Sequence, residues 1–142
     1  MKILILNGPN LNMLGLREPE IYGTQTLDAV KGLCLESGHR LGQSSDFRQS
    51  NHEGELGEWI QGAREGVHGL VNEAAAYTHT SIALHDALKL LDIPVIEVHL
   101  SNPKEREEFR HISYVEPIAA EVIAGHGAQG YVLALEKLSE LL

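Results

Sequence analysis

VHGLVNEAAAYTHTSIALHDALKLLDIPVIEVHL, residues 67–100, reads as strand, loop, helix, strand. Val67–Asn72 is a short apolar run that fits a buried strand. Glu73–Tyr77 breaks the pattern. Ile82, Leu84, Ala87, Leu88 and Leu91 then recur at helical spacing within THTSIALHDALKLLD. Ile93–Leu100 is the clearest strand of the chain, rich in β-branched residues. Two strands joined through a helix must run parallel, because the helix carries the chain back to the starting edge.

The same alternation extends outward in both directions. Lys2–Leu6 reads as a first buried strand. Thr26 can cap a helix running to about Ser37, with Leu27, Val30, Leu33 and Cys34 as its apolar stripe and Gly38 as its end. Asp46–Gln49 is a weaker second strand. Ser50 or Asn51 can cap the next helix, whose first turn carries Glu53 and Glu55 and whose buried face is Leu56, Trp59, Ile60 and Ala63. Ser101–Tyr114 is polar, Glu121–Ala124 a short fifth strand, and Tyr131–Leu142 a closing helix. Five strands with helices on both faces predict one α/β domain over residues 1–142, a doubly wound, flavodoxin-like parallel sheet. Ligands of such sheets bind beyond the carboxyl ends of the strands. The loops after strands one, three and four are therefore expected to meet at the site.

The first of these loops, Asn7–Gly23 (NGPNLNMLGLREPEIYG), is long for a strand-to-helix connection. Leu11, Met13, Leu14 and Ile21 can anchor it, while Gly8, Gly15 and Gly23 widen its backbone choices and Pro9 and Pro19 narrow them. A structural loop and a binding loop both fit that composition.

The 142 residues suffice for one domain with a real core. A net charge of -9 argues against nucleic acid or an anionic membrane as partner. Cys34 is the sole cysteine, which excludes an intrachain disulfide and fits a reducing, cytoplasmic setting. MKILILNGPN is too briefly apolar for a secretion signal, and no run is long enough to span a membrane.

Within IPVIEVHL, alternation puts Val95, Glu97 and His99 on one face of the strand. A carboxylate beside an imidazole fixes its tautomer and favours its charged form, so His99 is a candidate general acid oriented by Glu97. A buried ion pair that stiffens the sheet fits the same residues. Leu100 and Ser101, where strand gives way to loop, can form a small anion cradle. Arg110 can hold an oxygen-rich ligand; Arg106 can do so too, or can pair with the glutamates of its EREE run. Tyr22 shares the long loop with Arg17. A free tyrosine titrates near 10, and lowering that to about 7 requires roughly 4 kcal/mol. A guanidinium about 4 Å away supplies roughly that much at an effective dielectric of about 20. Arg17 can thus turn Tyr22 into a base, and a tyrosinate facing a histidine acid forms a pair for proton abstraction and elimination. A plain amphipathic anchor is the other reading of Tyr22. His79 can donate to a ligand hydroxyl or cap the following helix. The eight histidines lack metal-ligand spacing, so no metal is expected. GHGAQG at 125–130 leads into the last helix, too late for a dinucleotide site, and nothing in the sequence suggests an activating partner for Cys34.

NGPNLNMLGLREPEIYG, FRQSNHEGEL, AYTHTS, IEVHLSN, EFRHISY and GAQGY, in this order and spacing, resemble type II 3-dehydroquinate dehydratase. The resemblance covers nearly the whole chain. It implies a flavodoxin-like dodecamer of four trimers that reversibly dehydrates 3-dehydroquinate, a small anion, to 3-dehydroshikimate through an enolate. The setting is the shikimate route or quinate breakdown. No cofactor and no Schiff base are implied. By resemblance, Tyr22 is the base, Arg17 its activator, and Asn10 the holder of a water near the enolate oxygen. His99 is the acid, positioned by Glu97. Leu100 and Ser101 match the substrate carboxylate site, and His79 and Arg110 its hydroxyl contacts. Asp86 matches a residue that reaches a neighbouring subunit's site.

One stretch departs from the family pattern. Before YTHTS the family carries a substrate-binding Asn; here that slot holds Glu73, with Asn72 one place early. An ionised Glu73 would repel an anionic substrate. Presenting Asn72 instead would require a bulge in the strand. Three other readings share the residues: a flavin-binding or electron-transfer module, an inactive homologue, and a Schiff-base dehydratase that would need a buried lysine.

Overall fold

The computed structural model describes residues 1–22 and 24–142. Five parallel strands, β1 (Lys2–Asn7), β2 (Ser44–Gln49), β3 (Gly69–Glu73), β4 (Val95–His99) and β5 (Glu121–Ala124), form one sheet in the order β2-β1-β3-β4-β5. That is the flavodoxin-like strand order. The helices are α1 (Pro19–Tyr22), α2 (Leu27–Arg40), α3 (Glu53–Gly62), α4 (Ile82–Leu88) and α5 (Gln129–Leu141). The central strands β1, β3 and β4 are buried on both faces, as parallel strands between helical layers require. One core layer joins Ile5, Val71 and Val98 to Val30 of α2 and Leu135 of α5. The other joins Leu6, Leu70 and Val95 to Ile60 of α3 and Leu84 of α4. Across the first layer the buried Tyr131 hydroxyl donates to Asn7 Oδ1 at 2.6 Å, tying α5 to the end of β1.

Several boundaries differ from the sequence expectation, each for a local reason. Helix α2 is capped by Thr26, whose Oγ1 accepts the Ala29 N–H at 3.2 Å. It runs past Gly38 because that glycine serves packing: a Cβ there would stand 2.6 Å from Ser45 Oγ. Neither Ser50 nor Asn51 caps α3. Ser50 Oγ accepts from His52 N, and Asn51 Oδ1 accepts from Asn10 N, which ties the first loop to the third. The stretch 75–88 is a 3-10 turn, Ala75–His79, followed by α4, which Ser81 caps through Leu84 N. Strand β3 continues through Glu73, which reading the sequence had assigned to the loop. The β1–α2 connection contains α1 and a 3-10 turn, Leu11–Met13. The conformational freedom expected of Gly23 lies outside the described residues.

Gly8 sets the start of that loop. Its N–H donates to Glu73 O at 2.8 Å, and a Cβ on it would lie 2.3 Å from Ala74 O, a backbone atom that cannot swing away. Gly8→Ala is expected to cost about 1–3 kcal/mol in urea unfolding. An unchanged midpoint would mean that β1 and β3 do not approach this closely.

Candidate active site

The carboxyl ends of β1, β3 and β4 surround a cavity of about 180 Å³. Tyr22, the last residue of α1, and His99, the last residue of β4, both line it. Asn10, Arg17, Glu73, His79, Leu100, Ser101, Arg106 and Arg110 complete most of the wall. A second cavity of about 230 Å³ lies beyond His99 and shares its His79, His99 and Arg110, with Glu97 in its lining. The chain can turn sharply after β4 because the amides of Gly125 and Gly127 reach back to the carbonyls of Ser101 and Leu100. Gly125 adopts φ 84°, a region open to glycine.

Around His99 lies a buried set of charges. Glu97 and His99 share a face of β4 as alternation predicts, and Glu97 Oε2 bonds the His99 Nε2. The same carboxylate oxygen accepts from Thr78 Oγ1 at 3.0 Å and Ser113 Oγ at 2.7 Å. Ser113 Oγ already accepts the Val115 and Glu116 amides, so its own hydrogen is free for Glu97. On the other side of the ring, His99 Nδ1 lies 3.4 Å from Glu73 Oε1. Burial alone would push the His99 imidazole down, but the charges of Glu73 and Glu97 outweigh it and raise it to about 10. Burial also pushes the Glu97 carboxyl up, and its bonds to His99, Ser113 and Thr78 hold it below the usual value. The ring is therefore an imidazolium at neutral pH, hydrogen-bonded through Nε2 to Glu97 and with Nδ1 in ion-pair reach of Glu73.

The register of β3 decides the Glu73 question geometrically. Asn7 pairs with Glu73, and Asn72 pairs with Glu97, with no bulge between. Asn72 thus shares a sheet face with Glu97 and His99, while Glu73 leaves the strand end on the face of Asn7 and lines the cavity; among the described residues neither the buried Asn72 Nδ2 nor Glu97 Oε1 has a hydrogen-bond partner. Glu73 Oε2 accepts the Leu100 N–H at 3.0 Å, and Oε1 accepts Ala75 N at 2.9 Å. Half of the anion cradle expected at Leu100 and Ser101 is therefore filled by the protein's own carboxylate.

The surroundings of Tyr22 also differ from expectation. Arg17 stacks its guanidinium over the Tyr22 ring, 4.5 Å from the centroid, and does not face the oxygen. Arg106 does: its Nη1 donates to Tyr22 Oη at 2.8 Å and to Ser101 Oγ at 3.3 Å. Two cations flank the phenol, where the sequence argument had relied on one. Arg106 belongs to a polar run whose cavity-facing member no motif identified. Asn10 stands in the left-handed region, φ 69°, at the cavity mouth. His79 Nδ1 meets the Ile112 carbonyl at 2.8 Å, and burial first, then the neighbouring His99 and Arg110 charges, keep its ring neutral. A neutral ring that donates from Nδ1 presents Nε2 as an acceptor, not the donor expected. Arg110 lines both cavities and bonds Glu107 Oε1 at 3.1 Å. Asp86 is exposed on α4 and does not line the cavity of its own chain. Thr78 and Ser113 escaped the sequence reading because lone hydroxyls carry no spacing signal. Cys34 is buried, which pushes its thiol up to about 12 and leaves it unreactive. Among the described residues, no cluster of three metal-ligating side chains occurs and no helix is long and apolar enough to cross a membrane.

A family profile described as Dehydroquinase class II matches residues 1–139. A 3-dehydroquinate dehydratase 1 of Agrobacterium fabrum is 53% identical over 139 residues, covering 98% of this chain and 96% of that one. A 3-dehydroquinate dehydratase of Streptomyces avermitilis is 56% identical over 140 residues, covering 98% and 88%. The crystal structure of a type II dehydroquinase from Butyrivibrio crossotus superposes with a TM-score of 0.95 at 46% identity, covering 97% of each chain.

The buried charges give stability a pH signature. The His99 value is raised in the fold, so its contribution is complete below the ordinary imidazole range and is lost as pH rises through about 10. The urea midpoint of the parent should fall across that span, and most of the fall should be absent from His99→Gln. Parallel pH dependences in the two proteins would contradict the assigned charge.

Proposed function

Because the chain belongs to the class II dehydroquinase family, we propose that it removes water from 3-dehydroquinate with Tyr22 as base and His99 as acid. It is a hydro-lyase of the 3-dehydroquinate dehydratase type. One observation carries the reading of mechanism: the phenol of Tyr22 and the ring of His99 open into a single cavity. Had they faced different cavities, no one substrate could meet both.

In the proposed sequence, the Tyr22 phenolate takes the proton from the carbon beside the ketone, and the electron pair moves into the carbonyl to form an enolate. Arg106 at the phenol oxygen and Arg17 over the ring place positive charge where the base must be negative. Asn10 holds a water against the enolate oxygen. The enolate then collapses, the carbon–oxygen bond to the departing hydroxyl breaks, and His99 supplies the proton that lets it leave as water. Transfer of a proton from Tyr22 to His99 through solvent restores the starting state. Glu97 orients the ring throughout.

The substrate carboxylate lies against Ser101, since Glu73 already holds the Leu100 N–H, and the ring hydroxyls meet His79 Nε2 and Arg110. Asn72, turned to the other face of β3, makes no contact in this scheme. The exposed position of Asp86 and of Phe109 and Ile112 beside the site suits an assembly in which α4 of one copy reaches another, and a cytoplasmic dodecamer of four trimers serving aromatic biosynthesis is the proposed setting. The scheme uses side chains alone. No lysine lines the cavity between Tyr22 and His99, which disfavours a Schiff base.

Following the conjugated enone product by ultraviolet absorbance, Tyr22→Phe should lower kcat by about 10²–10⁴-fold. A rate near that of the parent would remove Tyr22 as base. Borohydride added with substrate should trap no adduct; a trapped lysine adduct would replace this mechanism with imine chemistry.

A further inference from the structure

His99 is held from two sides, by Glu97 at Nε2 and by Glu73 at Nδ1. Glu97, on the same strand, takes Nε2 and lines the second cavity but not the one that contains Tyr22. Glu73, from β3, lies at Nδ1 and lines the Tyr22 cavity. The ring nitrogen that faces the reaction space is therefore Nδ1, and its nearest counter-charge is Glu73. That carboxylate is itself fixed, since Leu100 N and Ala75 N each donate to one of its oxygens. At 3.4 Å the contact with Nδ1 is an ion pair but too long for a good hydrogen bond, so the Nδ1 proton remains available to a leaving oxygen.

We propose that Glu73 is a positioning residue for the acid: a fixed charge beside Nδ1 that keeps His99 an imidazolium and aims its proton into the Tyr22 cavity. The proposal rests on His99 being the acid of the dehydration. The other groups around the ring do not replace Glu73. His79 stacks on His99 at 6.5 Å and is neutral, and Arg110 between the two cavities opposes protonation. Arg106 and Arg17, across the cavity, act in the same sense as Arg110. In the second cavity Lys104 and His111 offer no anion, and Glu116 is engaged at 4.0 Å by Lys104. The anions in van der Waals reach of the ring are Glu73 and Glu97, one for each nitrogen.

Glu73→Gln separates this role from simple packing. Each Glu73 oxygen accepts a backbone N–H, from Leu100 and from Ala75, so a glutamine keeps one of these bonds and loses the other. In either orientation the negative charge 3.4 Å from Nδ1 is gone. The imidazolium then keeps a single counter-charge, Glu97, and the neutral ring donates from Nε2 to that carboxylate.

Nitrogen-15 NMR of labelled histidine, recorded across a pH titration without substrate, reads this directly. The parent should hold the His99 imidazolium well above neutrality. In Glu73→Gln the midpoint should fall by about 1–3 pH units, the range expected for removing one adjacent opposite charge, and the neutral form should carry its proton on Nε2. Glu73→Asp, which keeps the charge, should restore most of the shift, and it provides the comparison if the glutamine variant folds poorly. The alkaline limb of kcat should move with the NMR midpoint in both variants. An unchanged midpoint in Glu73→Gln, or a midpoint as low in Glu73→Asp, would overturn the proposal. A shifted midpoint in a parent that does not convert 3-dehydroquinate would support the role of Glu73 and overturn the dehydration reading instead.

Discussion

Two carboxylates buried within reach of one imidazole are the constraint from which the site follows. Neither Glu73 nor Glu97 can hold its charge away from water unless something positive lies beside it. His99 answers both, and the Thr78 and Ser113 hydroxyls and the Leu100 and Ala75 amides supply the remaining donors. Because those donors come from β4, the turn after β3 and the segment before β5, the ion cluster also locks the carboxyl ends of the central strands together. The proposed mechanism takes from this cluster a charged, already oriented imidazolium.

Across the cavity the same principle runs with the signs exchanged. There the group that the proposed mechanism makes negative is Tyr22, and the positive charges are Arg106 at its oxygen and Arg17 on its ring face. These three residues come from α1, the long first loop and the polar segment after β4, none of them a central strand. In the proposed mechanism the acid thus stands at the carboxyl end of an interior strand. The base stands on a connection held by Asn51, Gly8 and the buried Leu11 and Leu14.

Most of the architecture was legible because periodicity reports burial. The five strands and the parallel order follow from where apolar residues cluster and where helices separate them. The facing of Glu97 and His99 follows from strand alternation alone. What was not legible depended on approach between distant segments. Gly38 reads as a helix end, but it is a contact with Ser45. Arg106 sits in a charged run that gives no hint which member turns inward. Glu73 was recognised as out of pattern, yet its partners, Leu100 N and His99 Nδ1, lie in another strand and could not be named from spacing. The tautomer of His79 likewise depends on a carbonyl more than thirty residues away.

In the proposed mechanism proton removal and hydroxyl protonation fall to different residues, so the two steps must be separable. In heavy water, NMR of 3-dehydroquinate can follow deuterium entering the carbon beside the ketone while absorbance follows the enone. His99→Asn should still exchange that position while forming little product, and Tyr22→Phe should do neither. Exchange at the parent rate in Tyr22→Phe, or full elimination in His99→Asn, would contradict a phenolate base and an imidazolium acid sharing one cavity.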